Sequence, residues 1–122
     1  MAITREAILA TRTTRVENIG VVPGWEELGD FYVRQLTVKE RNEWAAVRLA
    51  GLENEGAGAF GFYLDSRAHL FAFAVCDEDG NRLFDDVSQV YELDPKPVDY
   101  VALKAEEFNG LSNEAAETIQ GN

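Results

Sequence analysis

The sequence predicts a mainly helical α+β fold, a compact helical domain carrying a small N-terminal β-hairpin. Three observations predict it. Pro95–Asn109 carries Val98, Val101, Ala102, Ala105 and Phe108 on one helical stripe. Thr37 to Glu40 (TVKE) spells a capping box, the reciprocal side-chain and backbone hydrogen bonds that open a helix. Two β-prone runs, Ile19–Val22 and Phe31–Leu36, flank PGWEELGD, whose Pro23, Gly24 and Gly29 supply turn geometry. With 122 residues the chain is the size of one domain. The expected division is a short N-terminal segment over 1–15, the hairpin over about 19–36 and a helical region over about 37–120.

In chain order, Thr4 caps a brief first helix, with Ile3 and Ile8 at the two positions of a hydrophobic staple. TRTTRVEN follows, where β-branched Thr and Val favour extended or loop structure. The helix opened by Thr37 presents Trp44, Val47, Arg48 and Leu52 on a mixed face, and the glycines of GAGAFG end it. From Phe60 to Cys76, FGFYLDSRAHLFAFAVC shows no clean two-residue alternation, so its length favours a buried helix, with a strand over Leu70–Cys76 as the alternative. Asp79-Gly80 makes a turn, and a short helix begins near Asp86 with Val87, Val90 and Tyr91 at helical spacing. Asp94 caps the long stripe-bearing helix and Pro95 suits its first position. Gly110 and Leu111 close that helix as a Schellman ending. Ser112–Asn122 starts a last polar helix with Ala115, Ala116 and Ile119 on one side.

Composition narrows the function. Twenty-two Asp and Glu stand against eleven Lys and Arg, a formal charge of −11. Nucleic-acid phosphates and anionic membranes are repelled by such a surface, so proteins are the expected partners. Seven Phe, four Tyr and two Trp in a chain that is 46% hydrophobic belong to a globular protein, not an acidic tail. A single Cys allows neither an internal disulfide nor a cysteine-based zinc site, which suits a reducing cytoplasm. Neither a signal peptide nor a membrane span is expected, since Ala7–Ala10 is too short an apolar run for either.

Chemistry-bearing residues concentrate in HLFAFAVCDEDGNRLFDD, residues 69–86. Aligned as a calcium loop, Asp77, Asp79 and Asp86 fall at ligand positions, but Val75 occupies the first and has no oxygen to give. A polar turn is the reading the spacing favours. His69 and Cys76 lie two helical turns apart, about 10 Å and too far for a thiol–imidazole hydrogen bond. Asp65, one turn before His69, is placed to orient its ring in a conceivable Cys-His-Asp set, but a packed Cys and, separately, a hydrogen-bonded or half-exposed His are the expectation. Gly56, Gly58 and Gly61 spell G-x-G-x-x-G, yet the preceding VRLAGLENE is helix-like and not a buried strand, so a flexible helix–helix linker is expected there. No catalytic residue, cofactor or metal is expected. Of the two tryptophans, Trp44 reads as core and Trp25, in its acidic turn, as an interface anchor.

Taken in order, several segments resemble the tail assembly chaperones of long-tailed siphophages and their prophages. They are the opening MAITREAIL, the hairpin leading into FYVRQLTVKERNEW, the apolar run into VCDEDGNRLFDD and the closing FNGLSNEAAETIQGN. The resemblance covers nearly the whole chain and rests on the order of the segments and on chain length, since no single motif is catalytic. It implies a non-enzymatic protein of the host bacterial cytoplasm that holds the long, aggregation-prone tape measure protein in assembly-competent form. It also implies recruitment of major tail tube protein subunits and absence from the finished virion. Members of that family often exist in two lengths, the longer made by a programmed ribosomal frameshift, and this chain corresponds to the short form. Apolar surface with strong net charge suits a chaperone. The hairpin runs IGVV and FYVRQL offer an edge strand, with Val21 and Val33 as contact residues, through which a homo-oligomer could assemble. The competing readings are another small morphogenesis protein, such as a head–tail joining or tail terminator subunit, and a metal-binding module.

Overall fold

Helix starts are set by short side chains that satisfy orphan backbone donors. The computed structural model describes residues 2–12, 15–53 and 57–111. In it Thr4 accepts from the Ala7 N–H at 3.1 Å and opens α1, Arg5–Leu9. Thr37 and Glu40 form both halves of the capping box, at 3.2 and 2.9 Å, at the head of α2, Val38–Glu53. Asp86 opens α4, Val87–Val90, and Asp94 with Pro95 opens α5, Pro95–Asn109. Gly110 ends α5 with φ of 67°, a left-handed conformation that costs glycine little, and the Leu111 N–H returns to the Glu106 carbonyl at 2.8 Å, closing the Schellman ending.

The sheet departs from the sequence expectation. Strands β1, Val16–Val21, and β2, Asp30–Arg34, form the hairpin, and a third strand, β3, Val75–Cys76, pairs antiparallel on the other side of β2. The long apolar segment is therefore a helix, α3, Ala57–Ala74, running straight into a strand of two residues. Two residues are too few for any alternation to show in sequence. The order β1-β2-β3 also corrects the edge assignment: Val33 sits in the middle strand, 0% exposed, whereas Val21 lies on the outer strand and is 48% exposed. Gly20, with φ of 78°, carries a bulge after Asn18, which donates to Asp30 and accepts from the Gly20 N–H.

A second correction concerns GAGAFG. Gly58 and Gly61 lie inside α3 and not in a linker, while Gly56 falls outside the described residues. The apolar character of the rest of α3 outweighs the helix cost of its glycines, about 1 kcal/mol each, because packing and not propensity stabilises a buried helix. The tail helix expected over Ser112–Asn122 also lies outside the described residues. The staple residues Ile3 and Ile8 are exposed, 83% and 59%, and so is Tyr91 beside α4.

The core gathers where α3 meets the sheet and α5. Helix α2 packs against α3, α3 against α5, and α5 against β2. Phe71, Leu70, Val33, Val75 and Val101 are fully buried, and Trp44 joins them from α2. Residues Leu70 to Ala74 at the end of α3 are all buried, as expected of helical turns that are apolar on every side, and so are Val75 and Cys76 of β3. Asn109, at the end of α5, fastens the assembly. Its amide donates to the Arg34 and Ala105 carbonyls at 3.3 and 3.0 Å, and its oxygen accepts from the Leu36 N–H at 2.9 Å. No helix among the described residues is long and apolar enough to cross a membrane.

Candidate protein-interaction surface

Pro23-Gly24 turns the chain so that the Trp25 N–H donates to the Val22 carbonyl at 2.9 Å, and a single 3₁₀ turn, Glu26–Leu28, follows. Trp25 is held flat on Phe31, centroids 5.4 Å apart and planes at 12°, and tilts against Phe71 at 6.0 Å. Phe84, from the segment after β3, meets Phe71 in a tilted contact at 5.6 Å. These rings floor a groove of about 300 Å³ whose lining also includes Leu28, Val75, Leu83 and Leu93. Leu28 and Leu83 form lips contributed by two different loops and are 62% and 55% exposed. Trp25 therefore lies in the wall of an open apolar groove, and Val21 and Val33 do not line it. Sequence reasoning missed Leu28, Leu83 and Phe84; the available signal was a leucine set among carboxylates in each of two loops, EEL and RLFDD.

The loop that carries Leu83 is rigidly tied. Asp77 accepts from the Asp79 and Asn81 N–H groups at 2.9 Å each and from the Asn81 amide at 3.1 Å. Those bonds, from Asn81 above all, hold its carboxyl below the usual range. Cys76 bridges to Arg82 across the loop. Arg82 then turns inward: its Nε donates to the Ala72 carbonyl at 3.3 Å, its guanidinium lies 5.1 Å above the Phe73 ring and it reaches Glu40 at 3.6 Å. Glu40 also pairs with the buried Arg34. Burial pushes the Glu40 carboxyl up, but the Thr37 N–H and the Arg34 guanidinium together outweigh it and leave it lowered.

The catalytic and metal candidates are placed as structural groups. His69 donates from Nδ1 to the main-chain carbonyl of Asp65 at 2.8 Å, so it is the backbone of Asp65, not its carboxylate, that orients the ring. Cys76 is buried in β3, and burial, more than any neighbouring charge, pushes its thiol up to about 11, so it is protonated at neutral pH and a poor nucleophile. Of the calcium-loop positions, Val75 is core, Asp77 closes its own turn and Asp86 accepts from the Ser88 N–H. Among the described residues no group of three or more His, Cys, Asp or Glu is disposed to hold a metal. A larger cleft of about 540 Å³ between β1 and α5 is lined by Glu17, Asn18, Lys104 and Glu107 beside Ile19 and Phe108, and it offers polar, hydrated walls rather than an apolar anchor site.

No family model and no curated protein matches the chain. Among solved structures, one described as the structure of bacteriophage HK97 tail assembly chaperone superposes with a TM-score of 0.64 at 23% sequence identity. The match spans 81% of this chain and 92% of that one. At that identity the likeness is one of fold, and this chain has the fold of that phage tail assembly chaperone.

Proposed function

We propose that this chain is a tail assembly chaperone of a long-tailed phage or prophage. It binds the tape measure protein, keeps it competent for assembly and helps recruit major tail tube protein subunits around it. It acts in the host cytoplasm, as a homo-oligomer and without enzymatic chemistry, and it leaves before the virion is complete.

One observation carries the reading: a shared fold over 81% of this chain and 92% of the HK97 chaperone. The order of the resembling segments supports it as well. Within the opening segment REAIL forms α1, FYVRQLTVKERNEW runs from β2 into α2, VCDEDGNRLFDD runs from β3 to the head of α4, and FNGL closes α5. An open apolar groove on a protein of charge −11 suits a chaperone, because apolar contact engages the client while charge keeps the complex dispersed.

The test is co-expression with the tape measure protein of the same phage or prophage. The expected outcome is tape measure protein retained in the supernatant and co-purifying with this chain, and mass spectrometry of purified virions without this chain's peptides. Recovery of the chain from virions in stoichiometric amount would replace the reading with a head–tail joining or tail terminator subunit.

A further inference from the structure

We infer that the groove around Trp25 binds a cationic segment of a protein partner, one that inserts a Leu or Phe side chain between Leu28 and Leu83 and sets Lys or Arg over the rim. The inference rests on the chaperone reading and specifies the chemistry of the client segment.

Three observations select this occupant. Leu28 and Leu83 leave most of their surface to water although they line one groove with Trp25, Phe31, Phe71 and Phe84, so an inserted apolar side chain would cover both lips at once. The floor is held in place before binding by the stacking of Trp25 on Phe31 and by the contacts of Phe71 with both Trp25 and Phe84. Such prior order lowers the entropic cost of association. The volume, about 300 Å³, is at the small end of ligand sites and suits side-chain anchors.

Charge then decides what surrounds the anchor. On the segments that supply the lips, Glu26, Glu27, Asp30, Asp85, Asp86 and Glu92 are all exposed. Arg82 is the one cation within residues 25–31 and 82–93, and its guanidinium is tied to Ala72, Phe73 and Glu40. The segments that carry the lips thus bear six exposed carboxylates, and the neighbouring cation on α5 is the exposed Lys96, next to the Pro97 that packs on Gly24. Lys or Arg beside the anchor gains from that field, and an acidic segment pays desolvation with no attraction in return. A second copy of this chain brings another −11 to the encounter.

The probes are three Trp-free synthetic amphipathic peptides titrated into the full chain, read by tryptophan emission and calorimetry. The first carries Leu and Phe on one face and Lys on the other; the second replaces Lys by Glu; the third keeps Lys and replaces Leu and Phe by Ser. The first peptide should bind and shift the emission, and the other two should bind at least about tenfold more weakly. The double variant Leu28→Ser/Leu83→Ser should lose roughly tenfold or more in affinity while unfolding at the same temperature as the wild type. Equal binding of the Ser or Glu peptide, or unchanged affinity in the double variant, overturns the inference. So does concentration-dependent self-association that the double variant abolishes, which would make a second copy the occupant. If the wild-type chain retains the tape measure protein but the peptides fail, the groove assignment falls and the chaperone reading stands. If the peptides bind as expected but tape measure protein is never retained, the chaperone reading falls alone.

Discussion

The two tryptophans mark two regions built on opposite terms. Trp44 lies on a capped helix, 5% exposed, inside the α2–α3–α5 core. Trp25 lies in a turn, half-buried, with one ring face on Phe31 and an open groove beside it. The difference is one of closure. Trp44 belongs to the buried cluster in which side chains such as Leu70, Phe71, Val98 and Val101 are closed off from water. At Trp25 aromatic rings line an open groove, and Leu28 and Leu83, also on its lining, are left facing water. Burial in the first region stabilises the fold; incomplete burial in the second leaves apolar surface for a partner.

Three measurements break or sharpen that contrast. The largest effect is expected from Trp44→Ala, which empties a buried ring site and should cost about 3–5 kcal/mol in urea unfolding. A loss below about 1 kcal/mol would mean that the α2 side of the core is as open as the groove.

Next comes Glu40→Gln, which leaves Arg34, 5% exposed, without its counter-charge and should cost about 2–3 kcal/mol near neutral pH. The pH dependence has a definite sign. The folded-state carboxyl of Glu40 lies below its ordinary value of 4.5, so its stabilisation is present above that value and is lost as pH falls through the depressed folded value. Wild-type stability should therefore decline steeply in acid, and the variant should show a shallower decline when urea midpoints are compared down to about pH 3. Parallel curves would remove Glu40 as the source.

The smallest effect belongs to the groove lips. Leu28→Ser and Leu83→Ser should each change stability by no more than about 0.5 kcal/mol, because both side chains are already mostly hydrated in the fold. A cost above about 2 kcal/mol at either position would make the lips part of the core and erase the contrast between the regions.

Much of the fold was legible in the chain wherever a hydrogen bond closes within a few residues. Thr4, Thr37 with Glu40, Asp86, Asp94 and Gly110 each set a helix end, and each was recognisable because donor and acceptor are neighbours in sequence. The stripe of α5 was equally clear, with Val98, Val101, Ala102 and Ala105 all buried. Legibility failed where the partner is distant. Val75-Cys76 becomes a strand only because β2 offers an unpaired edge, and the same pairing moves Val33 from edge to centre. Gly58 and Gly61 read as breakers, yet they lie in a helix whose later turns form the core of the protein. Of the groove, only Trp25 was recognisable beforehand, as an aromatic in an acidic turn.

The sequence by itself determined the starts of α1, α2, α4 and α5, the end of α5, the acidic composition and the core stripe of α5, because capping, charge and helical period are properties of neighbouring residues. The tertiary structure alone decided which strand is central and that Leu28 and Leu83 line one groove with Trp25. Those facts depend on segments far apart in sequence meeting in space, and Phe71, in contact with both Trp25 and Phe84, helps bring them together.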